Sequence, residues 1–207
     1  MKIFLKICGI TNVEDAKFIV SMGVNALGII RYKKSPRFVN DEVLIKISKV
    51  VPSHIKLVPV FVNEEQEIVK NTLSLIPGAL PQFHGKESPE YCESFGTEYI
   101  KAVSMDVSID LSEKSNQYHS CKALLLDSKD KSLYGGTGKV FDWDLVNDCA
   151  PKPLILAGGL NIENIDQALS SEKYWGVDVS SGVESSPEKK DHRKVSKFIK
   201  KVRNKDD

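Results

Sequence analysis

Eight short apolar runs, each followed by a polar or amphipathic stretch and recurring about every 25 residues, leave this chain few folds to choose from. Strands that alternate with helices pair in parallel, and their outer face must be covered by those helices. Eight such beats favour closure into a ring over an open sheet. The expected architecture is α/β, a single-domain (β/α)8 TIM barrel over residues 1–207. For that fold 207 residues is short, so the loops must be lean.

The runs at 3–7, 26–30, 56–61, 79–83, 99–103, 123–126, 154–157 and 177–179 read as strands one to eight. Asn12 is the expected N-cap of a helix carrying Ala16, Ile19 and Val20, which Gly23 closes. A second helix holds Val43, Leu44 and Ile47, and further helices are expected over 64–75, 89–95 and 142–149. Asn161 should cap the helix after strand seven. Residues 191–203 form an amphipathic helix with Val195, Phe198, Ile199 and Val202 on one side. The stretch 106–119 carries no clear period.

Lys and Arg number 29 against 28 Asp and Glu, a formal charge of +1. No overall field draws the chain to nucleic acid or an anionic membrane, so an anionic ligand must be held locally. Cys8, Cys92, Cys121 and Cys149 are dispersed, with no Cys-x-x-Cys pair and no histidine at zinc-ligand spacing, which argues against disulfides and a zinc centre. No run approaches the roughly 20 apolar residues of a membrane helix, and the start lacks a cleavable leader pattern. A cytoplasmic protein is expected.

Barrel active sites lie at the C-terminal ends of the strands. Leu156-Ala157-Gly158-Gly159-Leu160 and the segment from Gly176 to Glu184 are apolar runs that stop in small residues, able to offer backbone N–H groups to phosphate after strands seven and eight. Cys8 ends strand one; alone, a cysteine between Ile7 and Gly9 reads as a small buried hydrophobe. Asp127 ends strand six and on position alone reads equally as a cap or turn residue. A thiol and a carboxyl in one mouth can divide base and acid work. Strand parity adds Lys6, which shares the interior face with Cys8, while closure sets strand eight beside strand one with Asp178 and Ser180 facing inward. A Lys6–Asp178 ion pair beneath the catalytic layer is expected.

Lys6-Ile7-Cys8-Gly9-Ile10-Thr11, Ser35-Pro36-Arg37, Gln82-Phe83-His84-Gly85, Leu126-Asp127, Gly135-Gly136-Thr137-Gly138, Phe141-Asp142-Trp143, Ala157-Gly158-Gly159-Leu160 and Val177-Asp178-Val179-Ser180-Ser181-Gly182-Val183-Glu184, taken together and in order, resemble phosphoribosylanthranilate isomerase. The resemblance runs from Lys6 to about Asp191. It implies the Amadori rearrangement of N-(5-phosphoribosyl)anthranilate to 1-(2-carboxyphenylamino)-1-deoxyribulose 5-phosphate in tryptophan biosynthesis, with no cofactor and no metal. It makes Asp127 the general acid on the furanose ring oxygen and Cys8 the general base at C2. It assigns Arg37 to the anthranilate carboxylate, sets Gln82 and His84 beside the site, and gives Asp178 the substrate amine or the barrel floor. Phosphate is then expected on backbone N–H groups of Gly136, Gly158, Gly159, Ser180 and Ser181. The implied partner is a small phosphoribosyl substrate, not nucleic acid or membrane, for a monomer or homodimer.

That chemistry needs proton populations opposite to the ordinary ones, since an unperturbed thiol with pKa about 8.5 is mostly protonated at neutral pH and an unperturbed Asp near 3.9 is ionised. The site is therefore expected to favour the Cys8 thiolate and to keep a proton on Asp127. Four departures from the family pattern stand out. Arg31 replaces an aromatic and is expected, with Lys33 and Lys34, to be a solvated loop charge. Glu188 replaces a glycine. Pro59 and Pro81 fall inside strands, where a bulge or a missing ladder bond is expected. The competing readings are the histidine-pathway isomerase or indole-glycerol-phosphate synthase, which share the late glycine loops, and a non-catalytic barrel that only binds a phosphorylated ligand. Cys8 and Arg37 argue against the first two.

Overall fold

The structure, a computed structural model, describes residues 2–106, 109–128, 143, 146 and 150–206. The expected helix over 142–149, and the glycine-rich stretch 135–138 before it, lie outside these apart from Trp143 and Val146. Eight parallel strands close a barrel: β1 (Phe4–Cys8), β2 (Ala26–Ile30), β3 (Lys56–Phe61), β4 (Gln82–Phe83), β5 (Ile100–Met105), β6 (Ala123–Ser128), β7 (Leu154–Leu156) and β8 (Gly176–Val179). Between them stand α1 (Val13–Ser21), α2 (Asp41–Ser48), α3 (Gln66–Leu75), α4 (Pro89–Glu93), α5 (Leu111–Gln117) and α6 (Ile165–Ala168). A last helix, α7 (His192–Arg203), follows β8. No helix among the described residues is long and apolar enough to cross a membrane.

Strand alternation sorts the apolar residues into two layers. Leu5, Ile7, Leu27, Ile29, Leu124, Leu126, Val177 and Val179 point outward and meet Ile19, Leu44, Val195 and Phe198 of the helices. Ala26, Val58, Val60, Ile100, Ala102, Ala123, Leu125 and Ile155 point inward, and the stacked rings of Phe4 and Trp175, 4.5 Å between centroids, pack against that inner layer. The ring closes through β1–β8 pairing, with Lys6 opposite Asp178. As parity requires, Lys6 is wholly buried and its Nζ lies 2.8 Å from Asp178 Oδ2.

Helix starts follow their caps. The Asn12 side chain accepts from Asp15 N, and Asp191 accepts from Arg193 N and Lys194 N. Asn161 takes the N–H groups of Glu163 and Asn164 while its own N–H donates to Asn164 Oδ1, but these bonds close a turn one step early: the N-cap of α6 is Asn164, not the expected Asn161, and it has no side-chain cap bond. The unreadable stretch holds α5, capped by Asp110, whose short polar sequence buries only Leu111 and Ser115.

Pro59 removes a bond without adding a bulge, while Pro81 falls just before β4 and its carbonyl accepts from Ile100 N. The β2–β3 register runs unbroken through Ile29↔Pro59. Leu80 N–H donates to the Leu57 carbonyl at 2.9 Å, but in a parallel ladder the return bond to Leu80 would come from residue 59, whose nitrogen carries no hydrogen. Pairing of β3 with β4 therefore begins only at Val60↔Gln82, and β4 keeps two residues. Arg31 departs from expectation: it is buried, bonded to the Val39 carbonyl and Asp41, with its guanidinium over the Phe38 ring, and it ties down the loop after β2.

A 3-10 turn (Ser181–Val183) and an antiparallel hairpin, β9 (Glu184–Ser186) with β10 (Lys189–Lys190), separate β8 from α7. The polar sequence there gives no strand signal. Pro187 and Glu188 make the two-residue turn, and Glu188 sits at φ 73°, the left-handed region that costs a side-chain-bearing residue about 1 kcal/mol or more. Glu188→Gly is expected to stabilise the fold by about 0.5–1 kcal/mol in urea denaturation with the slope unchanged; a lower midpoint would contradict the strain.

Candidate active site

The C-terminal ends of the strands surround an open mouth of about 750 Å³. Cys8, Arg37, Gln82, His84 and Asp127 line it, as do Gly158, Gly159, Asp178, Ser180 and Ser181. Of the expected site residues only Gly136 lies outside the described residues. Leu160 of the Ala-Gly-Gly-Leu segment is joined by Ile30, Val60 and Val62 in an apolar wall; motif reading had not singled out these three, although Val60 shares the inward parity of Val58.

Cys8 ends β1 and is buried at 6% exposure. Its neighbour across the ladder is Gly28, where a Cβ would stand 2.5 Å from Cys8 Sγ, so the bare backbone of β2 makes room for the sulfur. Burial pushes the Cys8 thiol up; the Lys6 ammonium opposes this and Lys190 helps it slightly, while Asp178 reinforces burial. The outcome is a raised pKa, so the expected preference for thiolate is not met in the free site. Burial pulls on Lys6 in the other direction, but Asp178 and then Cys8 more than reverse it and hold the ammonium above its ordinary value. Asp178 Oδ2 belongs to Lys6, and Asp178 Oδ1 is buried without a hydrogen-bond partner.

Asp127 ends the inward row of β6. Its Oδ1 accepts from Ser128 N at 2.8 Å, and its Oδ2 lies 3.0 Å from His84 Nε2. Gln82 Nε2 lies 2.7 Å from His84 Nδ1, so an amide, an imidazole and a carboxyl form one chain across β4 and β6. Gln82 Oε1 is buried and unpaired. Gly158, at φ 75°, crosses over this end of β6, where a Cβ would stand 2.5 Å from Ser128 N and 2.8 Å from Asp127 Oδ1. Only glycine fits both the conformation and the approach.

Arg37 reaches the mouth with part of its guanidinium already used. Nε donates to Glu184 Oε1 at 2.8 Å and Nη2 to Glu184 Oε2 at 2.6 Å. It is neither a solvated charge nor a fork left wholly open for an outside carboxylate. Glu184 hydrogen-bonds Arg37 so strongly that the arginine is held above its usual value. Burial opposes ionisation of Glu184, but Arg37 and Lys190 outweigh it and the carboxyl stays below the usual range. Glu184 and Lys190 were not foreseen as site residues; the only hint was the acidic residue that ends the Ser-Ser-Gly-Val-Glu segment.

Comparison with known proteins agrees with this arrangement. The model of the N-(5'phosphoribosyl)anthranilate (PRA) isomerase family matches residues 5–201. The N-(5'-phosphoribosyl)anthranilate isomerase of Acidithiobacillus ferrooxidans is 43% identical over 199 residues, covering 96% of this chain and 97% of that one. The crystal structure of phosphoribosyl anthranilate isomerase from Thermotoga maritima superposes with a TM-score of 0.88 at 40% identity, covering 98% of this chain and 99% of that one. A crystal structure of a phosphoribosyl anthranilate isomerase in complex with reduced 1-(o-carboxyphenylamino)-1-deoxyribulose 5-phosphate gives 0.85 at 38%, with the same coverage. A barrel with this thiol, this carboxyl and these late glycine turns, matched to those relatives over nearly its full length, belongs to the N-(5'-phosphoribosyl)anthranilate isomerase family.

Proposed function

We propose that the chain catalyses the Amadori rearrangement of N-(5-phosphoribosyl)anthranilate to 1-(2-carboxyphenylamino)-1-deoxyribulose 5-phosphate, a step of tryptophan biosynthesis. The observation that carries this is the thiol of Cys8 and the carboxyl of Asp127 lining one mouth, rimmed by the glycine and serine turns after β7 and β8. The relative crystallised with the reduced product supports the choice of substrate.

Asp127 protonates the furanose ring oxygen and the ring opens to a protonated Schiff base. The thiolate form of Cys8 then removes the proton at C2, and the enolamine tautomerises to the ketone. Net, hydrogen moves from C2 to C1, so both groups must regain their starting states each turnover. His84, itself held by Gln82, keeps the Asp127 carboxyl aimed at the sugar. The unpaired Asp178 Oδ1 accepts from the substrate amine, which supplies the partner that the free site lacks. Phosphate takes backbone N–H groups of Gly158, Gly159, Ser180 and Ser181, joined by Gly136, while Arg37 receives the ring carboxylate.

Cys8→Ala and Asp127→Asn, assayed with substrate generated in place, are each expected to lower kcat by about 10²–10⁴-fold while still binding the reduced product. Unchanged turnover in Cys8→Ala would favour a barrel that only binds its ligand. Because burial raises the Cys8 pKa, alkylation of Cys8 followed by peptide mapping should climb with pH with a midpoint above the ordinary thiol value of about 8.5. The charges facing the sulfur are Lys6, Asp178, Lys190 and Arg37. Lys6→Met removes the strongest opponent of burial and moves the midpoint higher; a midpoint that stays put would show that Lys6 does not act on the thiol.

A further inference from the structure

Three charged residues meet at the rim of the mouth outside the acid–base pair. Glu184 is 4% exposed and lies between Arg37 and Lys190, whose Nζ is 2.8 Å from Glu184 Oε1 and 3.1 Å from the Ser180 carbonyl. The Lys190 side chain is fully buried, a costly place for an ammonium unless its charge does something there. Its backbone N–H donates to Asp15 Oδ2, which pins the hairpin to α1.

Arg37 is constrained as tightly. Its N–H donates to Ser35 Oγ at 3.1 Å, and its stem passes over Gly9, where a Cβ would stand 2.7 Å from Arg37 Cδ. Glu184 takes the side-on edge, Nε with one N–H of Nη2. What remains is the end-on edge, Nη1 with the other N–H of Nη2, which can still grip a carboxylate with two parallel bonds. Charge decides whether it would. An arginine neutralised by one carboxylate attracts a second one weakly, whereas two cations sharing one anion keep a net positive unit. Lys190 supplies that unit.

We propose that Glu184, charge-balanced by Lys190, is a positioning residue that turns the end-on edge of Arg37 toward the mouth and so sets the preference for an anilino substrate bearing an ortho carboxylate. This rests on the reading that Arg37 receives that carboxylate. The 3-10 turn and the hairpin after β8 thereby serve to carry Glu184 and Lys190 to a loop that follows β2.

The test uses variants that conserve the net charge of the cluster, and one of them, Glu184→Asp, also leaves Lys190 on Ser180 and facing Cys8. Glu184→Gln with Lys190→Met removes one anion and one cation together and keeps an amide oxygen as acceptor for Arg37; Glu184→Asp keeps both charges but shortens the reach. Calorimetry would compare reduced 1-(2-carboxyphenylamino)-1-deoxyribulose 5-phosphate with its counterpart lacking the ring carboxylate. The double variant is expected to bind the carboxylated probe about 10- to 100-fold more weakly and the other probe as before, with KM raised and kcat little changed; Glu184→Asp should fall between. Arg37→Ala serves as the control for the underlying reading. If it keeps the preference, the assignment of Arg37 fails; if it loses the preference while both Glu184 variants retain it, the positioning role is overturned.

Discussion

An ammonium sealed inside a protein must have a partner, and the pairing of Lys6 with Asp178 meets that demand at the seam where the barrel closes. Each residue faces inward because of its place in the strand, and the β1–β8 register sets them opposite one another. Removing one partner of such a pair typically costs about 3–5 kcal/mol, since the other charge stays buried. Small inward residues, Ala26, Ala102 and Ala123, leave the centre roomy enough for a long lysine side chain. The sulfur of Cys8 is thereby carried one layer higher, to the mouth, with Lys6 beneath it.

Above that pair, burial and charge oppose each other. Water exclusion favours the neutral thiol, the Lys6 ammonium favours the thiolate, and in the free site burial prevails. Two acceptors in the same mouth, Asp178 Oδ1 and Gln82 Oε1, are buried with no partner. Polar groups so placed usually find one, and leaving one unmet costs about 1–3 kcal/mol. The cost falls where a ligand with N–H or O–H groups would remove it. On the proposed mechanism a substrate brings hydrogen bonds the protein lacks, and its protonated Schiff base brings positive charge next to the thiol at the step that needs a base.

How much of this the sequence disclosed depended on the kind of rule involved. Lys6 and Asp178 are 172 positions apart, yet parity and closure alone predicted their contact. The cap at Asn12 was readable because it acts within a few residues. Strand four was misjudged in length: residues 79–81 look like strand by composition, and the ladder loss at Pro59 is a property of the neighbouring strand. Arg31 was misread, and the partner of Arg37 went unseen, for a related reason. Their partners, Asp41 and Glu184, open α2 and β9, but no helix or strand rule links either to its arginine, and Arg37 and Glu184 are separated by 147 positions.

The proposed division of labour between Cys8 and Asp127 is open to one direct measurement, the primary kinetic isotope effect with substrate deuterated at C2 of the ribose. If Cys8 takes that proton, weakening the base in Cys8→Ser makes C2 cleavage limiting and the effect rises well above unity. In Asp127→Asn, where ring opening should be slow, the effect shrinks toward unity. The reverse pattern would assign the C2 proton to Asp127 and contradict the account.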